Sequence, residues 1–504
     1  MVDAAAAVPD STAAVPSSPG VSVYETHSAA VFFLGDHAYK VKKPVDLGFL
    51  DFTTPSARQA VCHREVELNR RLAPDVYLGV AEVLDPEGAP CEWMVVMRRM
   101  PADRRLSTLV RSGVAVDAEL RALARLLAVF HAKAKRGPTI DEAGSVDGLR
   151  ARWTANIAEM EPFRGDPLAP DVLDELAERA LRYLDGRGPL FAARVEAGLI
   201  CDGHGDLTTD DVFCLPDGPR ALDCLEFDDR LRWVDGLDDA AFLAMDLERL
   251  GKPELATTFL NYYTEFTGGR RIISLEHHYL AYRAVVRAKV ASVRYVQGVG
   301  EAAEQARLLA ALALGHLRAG ESRLILVGGL PGTGKSTVAG GVADELNAVL
   351  LRSDRVRKED EQRDPRSSGA GEWEHGLYRP DATRHTYAIL LRRARELLAF
   401  GENVVLDASW NDADQRASAR QLAVDASSPL VELRCEAPTS VAAERIERRA
   451  GTGDPSDATV EIAARMARTF APWAQATTID TTGSVQESIG GCPEFRRTSA
   501  AARC

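Results

Sequence analysis

Gly329-Leu330-Pro331-Gly332-Thr333-Gly334-Lys335-Ser336 follows an apolar run, Leu324-Ile325-Leu326-Val327, and precedes a helical stretch from Thr337 to Leu346. Strand, glycine-rich loop and helix in that order turn the spacing G-x-x-x-x-G-K-[ST] into a phosphate cradle. Glycines let backbone N–H groups approach phosphate oxygens without a clashing side chain. The helix N-terminus adds the positive end of its dipole. The motif assigns the loop from Gly329 to Thr337 to the phosphates of a nucleoside triphosphate, Lys335 to its β- and γ-phosphates and Ser336 to Mg²⁺.

Further along, the pattern keeps alternating. Ala348 to Arg352 reads as a strand ending at Ser353-Asp354, and Tyr387 to Phe400 as an amphipathic helix. Asn403 to Leu406 is a buried strand ending at Asp407. Leu430 to Cys435 is another, followed by a helix carrying Arg445, Arg448 and Arg449. Thr477 to Asp480 is the last strand. Such alternation implies an α/β domain with a parallel sheet covered by helices on both faces. Ligands of these sheets sit at the carboxyl ends of the strands, where Lys335, Asp354 and Asp407 fall. Arg416 and Arg420, one helical turn apart, fit an exposed helix face and a substrate contact equally well.

With 504 residues, the chain has room for about three domains of ~150 residues. Its 46% hydrophobic and 27% charged content is that of a globular protein. The net charge of −13 argues against bulk binding of nucleic acid or an anionic membrane, which needs clustered cations. The eight cysteines form no C-x-x-C pair and read as reduced thiols of a cytoplasmic protein. No secretory leader is visible at the N-terminus, and Leu308 to Leu314 is too short for a membrane span.

Residues 1–20, rich in Ala, Pro, Ser and Val, read as a disordered tail. Val23 to Thr26, Ala30 to Leu34 and Ala38 to Lys42 read as short strands with a turn at Gly35-Asp36. A helix from Ser56 to Leu72 follows, then strands at Leu78 to Leu84 and Trp93 to Arg98. That order predicts a small mixed lobe. From Asp117 the chain is mostly helical. It is interrupted by His204-Gly205-Asp206-Leu207 and by strands Val212 to Leu215 and Arg220 to Leu225 around Pro216-Asp217-Gly218. Tyr282, Arg283, Arg287 and Lys289 lie at near-helical spacing, which suits a salt-bridged face first and an anion site second. A lysine of Lys40-Val41-Lys42-Lys43, Glu65 or Glu67, Asp206 with Asp211, and then Asp223 and Glu226 occur in the order that phosphoryl transfer requires. They supply a cation for the phosphates, its carboxylate partner, a residue for the acceptor hydroxyl, and metal ligands.

Two resemblances follow. Residues 21–295, through His204-Gly205-Asp206-Leu207, Leu222-Asp223-Cys224-Leu225-Glu226-Phe227 and Ala128-Val129-Phe130-His131, resemble aminoglycoside phosphotransferase-type enzymes. That family implies an α+β two-lobed protein-kinase-like fold. It would assign Lys40 to the phosphates, Glu65 to its ion pair, Asp206 to the catalytic loop, Asp223 to Mg²⁺ and Met97 to Pro101 to the hinge. The family's loop reads H-G-D-L-H-x-x-N, whereas Thr208 and Asp211 stand at its second His and its Asn; Asp211 can still offer oxygens to Mg²⁺. No G-x-G-x-x-G loop joins the first strands. The stretch Tyr39 to Phe52 resembles a bacterial branch in which such a domain is fused to a P-loop kinase. Residues 322–489 are similar to small P-loop kinases of the gluconate kinase, polynucleotide kinase and zeta-toxin kind. The resemblance gives Asp354 to the substrate hydroxyl and Asp407 to Mg²⁺. Arg445 and Arg449 would belong to a lid with its loop at Gly451 to Asp457. Residues 296–321 would be a helical linker and 490–504 a tail. The expectation is a multidomain kinase using ATP and Mg²⁺ on a small hydroxyl-bearing molecule. The alternative is a nucleotide-dependent sensor whose N-terminal domain is a pseudokinase binding module.

Overall fold

The computed structural model describes residues 21–25, 28–46, 51–360, 380–449 and 459–490. The expected tail at 1–20, the expected tail at 490–504 apart from Gly490, which ends a helix, and the lid loop at Gly451 to Asp457 lie outside them. The chain forms two compact units. The first takes the residues up to 316 apart from 178–190 and 272–275; those two segments join residues from 317 onward in the second.

In the first unit, five antiparallel strands stand in the order Val21–Glu25, Ala29–Leu34, His37–Lys42, Pro90–Arg98, Tyr77–Leu84. Leu34 pairs with His37, so Gly35 and Asp36 make a two-residue turn, with Gly35 at φ 55°. The helix Pro55–Asn69 starts where Thr54 accepts the Ala57 N–H and proline occupies the first turn. Its Cys62 and Val66 pack on Ala38, Val95 and Met97 of the sheet. Side chains two apart on a strand share a face, which puts Lys40 and Lys42 together toward this helix.

The structure corrects one strand. Arg220 to Leu225 was expected to be extended throughout, but the strand is Gly218–Ala221. Beyond it Asp223 turns to φ 62°, its N–H donates to the Tyr77 hydroxyl, and the Cys224 N–H donates to Asn69 Oδ1. Side chains of the sheet and helix take the donors a ladder would have used. The long helical run after Leu275 is likewise two helices, Ile273–Val296 and Ala302–Ala319, parted near Gly298 at φ 97°.

Helices dominate the rest of this unit, and Ile273–Val296 is buried along much of its length. Tyr282, Arg283, Arg287 and Lys289 are buried there, so the expected salt-bridged face is internal; Arg283 Nε donates to Asp238 Oδ1 at 2.7 Å. On the same helix the Trp153 indole N–H donates to His278 Nε2 at 3.0 Å, and His277 Nδ1 lies 2.9 Å from His316 Nδ1. Burial drives both imidazoles down to about 3, with His316 and Arg271 adding for His277 and Arg152 for His278. Both are neutral when folded and titrate near 6.5 when unfolded, so the unfolded chain gains protons first as pH falls. Stability is expected to be full above about pH 6.5 and to fall by up to about 1.4 kcal/mol per pH unit per histidine below it. The difference in urea midpoint between wild type and His278→Gln, followed from about pH 7.5 to 5, isolates the histidine contribution from buried carboxylates; a difference that does not change with pH contradicts it.

The second unit carries a five-stranded parallel sheet in the order Val349–Arg352, Val404–Asp407, Leu324–Gly328, Leu430–Glu436, Thr477–Asp480. Leu324–Gly328 is central and wholly buried, as a parallel strand covered on both faces must be. Leu324 and Leu326 point to one side, against Tyr387, Leu390 and Leu422; Ile325 and Val327 point to the other, against Val338 and Val342. A short helix, Val485–Gly490, follows the last strand. No helix among the described residues is long and apolar enough to cross a membrane.

Candidate active sites

In the second unit the central strand ends at Gly328 and the chain folds back at Gly329 (φ 143°), Gly332 (φ 80°) and Gly334 (φ 80°) before the helix Lys335–Glu345. A Cβ on Gly332 would lie 2.4 Å from the Ala442 carbonyl oxygen, so no other residue fits. Leu330 accepts from the Thr333 hydroxyl, and Thr333 in turn accepts through its carbonyl from Thr481 Oγ1 at 2.8 Å. Arg445 donates to the Thr481 carbonyl at 2.7 Å and to its hydroxyl at 3.2 Å. A cavity of about 340 Å³ opens here, lined by Gly334, Lys335, Thr337, Arg445, Thr481 and Val485. Arg449 ends the helix Thr439–Arg449.

Asp407 ends its strand beside this loop. It is buried, and Ser336 hydrogen-bonds its carboxylate. Burial raises the Asp407 carboxyl above the usual range, and Lys335 and Ser336 only partly oppose it. Asp407 Oδ1 has no hydrogen-bond partner among the described residues. A buried acceptor without a donor, beside a serine hydroxyl, is a hard oxygen donor set that fits Mg²⁺. Asp354 sits in the first turn of the helix Ser353–Asp360, where Arg357 Nη1 reaches its Oδ1 at 3.2 Å. Just after Asp407, Trp410 is fully buried in the left-handed region at φ 52°, and its N–H donates to the Tyr387 hydroxyl at 3.1 Å.

Arg416 is neither on an exposed face nor open to a substrate. It is 2% exposed, donates to the carbonyls of Trp410 at 2.6 Å and Pro472 at 2.8 Å, and lies over the Trp473 ring. It fastens the loop after Asp407. Arg420 pairs with Glu432.

In the first unit the lysines and carboxylates form one cluster. Glu65, fully buried, is 2.9 Å from Lys40 Nζ and 2.7 Å from Lys42 Nζ. Lys40 also meets Asp223 at 2.7 Å, and Lys42 meets Glu226 at 2.6 Å. Burial alone would raise the Glu65 carboxyl, but the two ammonium groups outweigh it and hold it at about 2. Asp206 is buried in the loop after strand Ile200–Asp202. Asp211 accepts from the Thr208 hydroxyl at 2.5 Å. Desolvation, then the charge of Asp223, push its carboxyl well above the usual range, with Asp206 and Asp210 adding. Carboxylates crowded in this way fit a cation that would relieve them. No group of three or more His, Cys, Asp or Glu among the described residues is set to hold a metal ion. Mg²⁺ at either place would therefore take oxygens from nucleotide phosphates as well.

Several of these residues escape a reading of the sequence. Asp239 accepts the backbone N–H groups of His204 at 2.7 Å and Gly205 at 2.9 Å, and its Oδ2 lies 3.0 Å from His131 Nε2. It fixes the loop that carries Asp206, and its carboxyl lies below the usual range because His131 and His204 overcome its burial. Asp246 holds the same loop further on, accepting from both the N–H and the hydroxyl of Thr209. The pairing of Lys42 with Glu226 forms the second half of the ion cluster. Thr481, at the end of a parallel strand, was open to discovery by the same end-of-strand rule that picked out Asp407.

The fold and both sites define a two-part chain, a unit with an antiparallel sheet and a lysine–carboxylate cluster followed by a unit with a P-loop at the end of a parallel sheet. A family model described as an AAA domain matches residues 324–473. The chain is 44% identical over 476 residues to the uncharacterized protein Rv2004c of Mycobacterium tuberculosis, covering 94% of this chain and 95% of that protein. It has the same identity and coverage with the uncharacterized protein Mb2027c of Mycobacterium bovis. The chain belongs to the family of these mycobacterial proteins. Among solved structures it is similar to a gluconokinase from Sinorhizobium meliloti (19% identity, 36% of this chain and 93% of that one, TM-score 0.26). It is also similar to a choline/ethanolamine kinase family protein from Mesorhizobium loti (14% identity, 59% and 92%, TM-score 0.37). A third is a GDP and kanamycin complex of APH(2")-IIia (16% identity, 59% and 93%, TM-score 0.38).

Proposed function

We propose that the chain is an ATP-dependent kinase that transfers the γ-phosphate to a small hydroxyl-bearing molecule, mainly at the P-loop unit. The observation that carries this reading is the Ser336–Asp407 pair behind Lys335, with Asp407 Oδ1 unpartnered among the described residues. Mg²⁺ held there would neutralise charge on the phosphates. Lys335 binds the β- and γ-phosphates, the loop N–H groups from Gly329 to Thr337 orient them, and Arg445 and Arg449 meet the transferring charge. Asp354 positions the acceptor hydroxyl and takes its proton. In this reading residues 21–295 and 322–489 are the two domains, 296–321 link them, and the protein works in the cytoplasm.

The kinase-like unit contributes a second nucleotide site through Lys40 and Glu65, with Asp211 and Asp223 toward the metal and Asp206 toward an acceptor. Lys40 bound to Asp223, and the crowded Asp211, favour a second reading in which this unit senses nucleotide rather than turning it over. A panel of sugars, aminoglycosides, nucleosides and amino alcohols, assayed for ADP release, tests the main reading. At least one acceptor should raise turnover well above the basal rate, and Asp354→Asn should cut the stimulated rate by about 10²-fold or more. Turnover that no acceptor stimulates would favour the sensor.

A further inference from the structure

A second cavity in the first unit, of about 90 Å³, lies beside Asp206 and is lined by Arg152, Asn156, Tyr282, Arg283 and Lys289 among others. At about 30 Å³ per water its volume equals about three waters, enough to seat a carboxylate or phosphate group with the rest of a ligand toward its mouth. Three cations line it. Lys289 is spent on Glu159 and Asn156 Oδ1, both at 2.6 Å. Arg283 and Arg152 share one carboxylate, Asp238, at 2.7 and 3.8 Å. With Asp206 on the wall, three cations face three carboxylates, so what favours an anion here is the guanidinium donors left unpaired, not a net charge.

The guanidinium groups also keep unused donors. Arg283 donates through Nε to Asp238 and through Nη1 to the Gly205 carbonyl at 3.1 Å, and its side chain is 5% exposed. Its Nη2 has no hydrogen-bond partner among the described residues, nor has Arg152 Nε. The Phe242 and Tyr282 rings, 4.9 and 5.6 Å from the Arg283 guanidinium, meet it with their faces and offer no acceptor oxygen. A buried donor left unpaired is costly, and an anionic oxygen would relieve that cost. Arginine's planar fork suits carboxylate and phosphate oxygens.

We propose that this cavity binds a small molecule carrying a carboxylate or phosphate, seated on Arg283 and Arg152 with a hydroxyl toward Asp206. The proposal rests on the reading of Asp206 as the residue that faces the acceptor. It disfavours polycationic acceptors, which would meet the Arg283 and Arg152 guanidinium groups on the cavity wall.

The test is calorimetric binding to the full chain carrying Lys335→Ala, which weakens the phosphate cradle as a competing anion site. The probes are D-glycerate and glycerol 3-phosphate as anions, glycerol as the neutral match, and ethanolamine and kanamycin as cations. At least one anion should bind saturably, and Arg152→Gln should weaken it tenfold or more, while glycerol and both cations give no saturable heat. Arg283→Gln should do the same. If it disturbs the loop through Gly205, Arg152→Gln with an unchanged melting temperature decides. Absence of binding by both anions, anion binding untouched by Arg152→Gln, or tighter binding of a cation overturns the proposal. No turnover is read, so failure here leaves transfer at the P-loop unit standing, and loss of that transfer leaves this result standing.

Discussion

Lys42→Ala is expected to destabilise the first unit by about 3–5 kcal/mol, the cost of breaking a buried ion pair from one side. Lys42 is 2% exposed and lies 2.7 Å from Glu65 and 2.6 Å from Glu226. Without it, Glu65, Glu226 and Asp223 face Lys40 alone. A surface lysine would cost far less, on the order of 1 kcal/mol or below, so the size of the loss decides between the two descriptions. Glu226→Gln in the same chain should restore part of the stability by removing one unpaired charge. The pH dependence has a definite sign. Glu65 is held at about 2 when folded, against about 4.5 unfolded, so its contribution is present above 4.5 and lost as pH falls toward 2. The gap between wild type and variant should therefore narrow over that window. Hydrogen exchange of the amides in His37–Lys42 and Pro55–Asn69 reads the local free energy directly.

Lys335→Ala is expected to lower ATP turnover by about 10²–10³-fold or more, the scale of a preorganised charge aimed at transferring phosphate. The side chain begins the helix that closes the cradle, and its charge acts on the buried Asp407. Removing it should affect nucleotide affinity and the chemical step together, because the lysine meets phosphate oxygens in both the ground and the transition state. The fold should be kept, since the cradle is shaped by glycine backbone and by the Thr333–Thr481 bond. An unchanged melting temperature with lost turnover is the expected pair of results.

The second unit was the more legible half. Its central strands Leu324–Gly328 and Val404–Asp407 are buried apolar runs, so the positions of Lys335, Asp354 and Asp407 at or just beyond strand ends could be read by pattern alone. Arg416 was ambiguous because helical spacing does not say which face is covered; Trp473 and the Pro472 carbonyl, far along the chain, bury it. In the first unit the chemistry is carried by contacts between residues distant in sequence. Lys42 carried no signal of its own in the sequence because Glu226, 184 positions away, is invisible to local pattern. Asp239 stands out by no motif of its own, and only the fold brings it under the His204 and Gly205 amides. The turn at Asp223 depends on Tyr77 and Asn69 and could not be read from its own neighbours.

The central claim is that the P-loop unit is the principal phosphotransferase centre. Transfer of radiolabelled γ-phosphate from ATP to the best acceptor, compared in wild type, Lys335→Ala and Asp206→Ala, tests it most directly. Nearly all transfer should be lost in Lys335→Ala and most of it retained in Asp206→Ala. Full transfer in Lys335→Ala with loss in Asp206→Ala would contradict it and move the activity to the kinase-like unit.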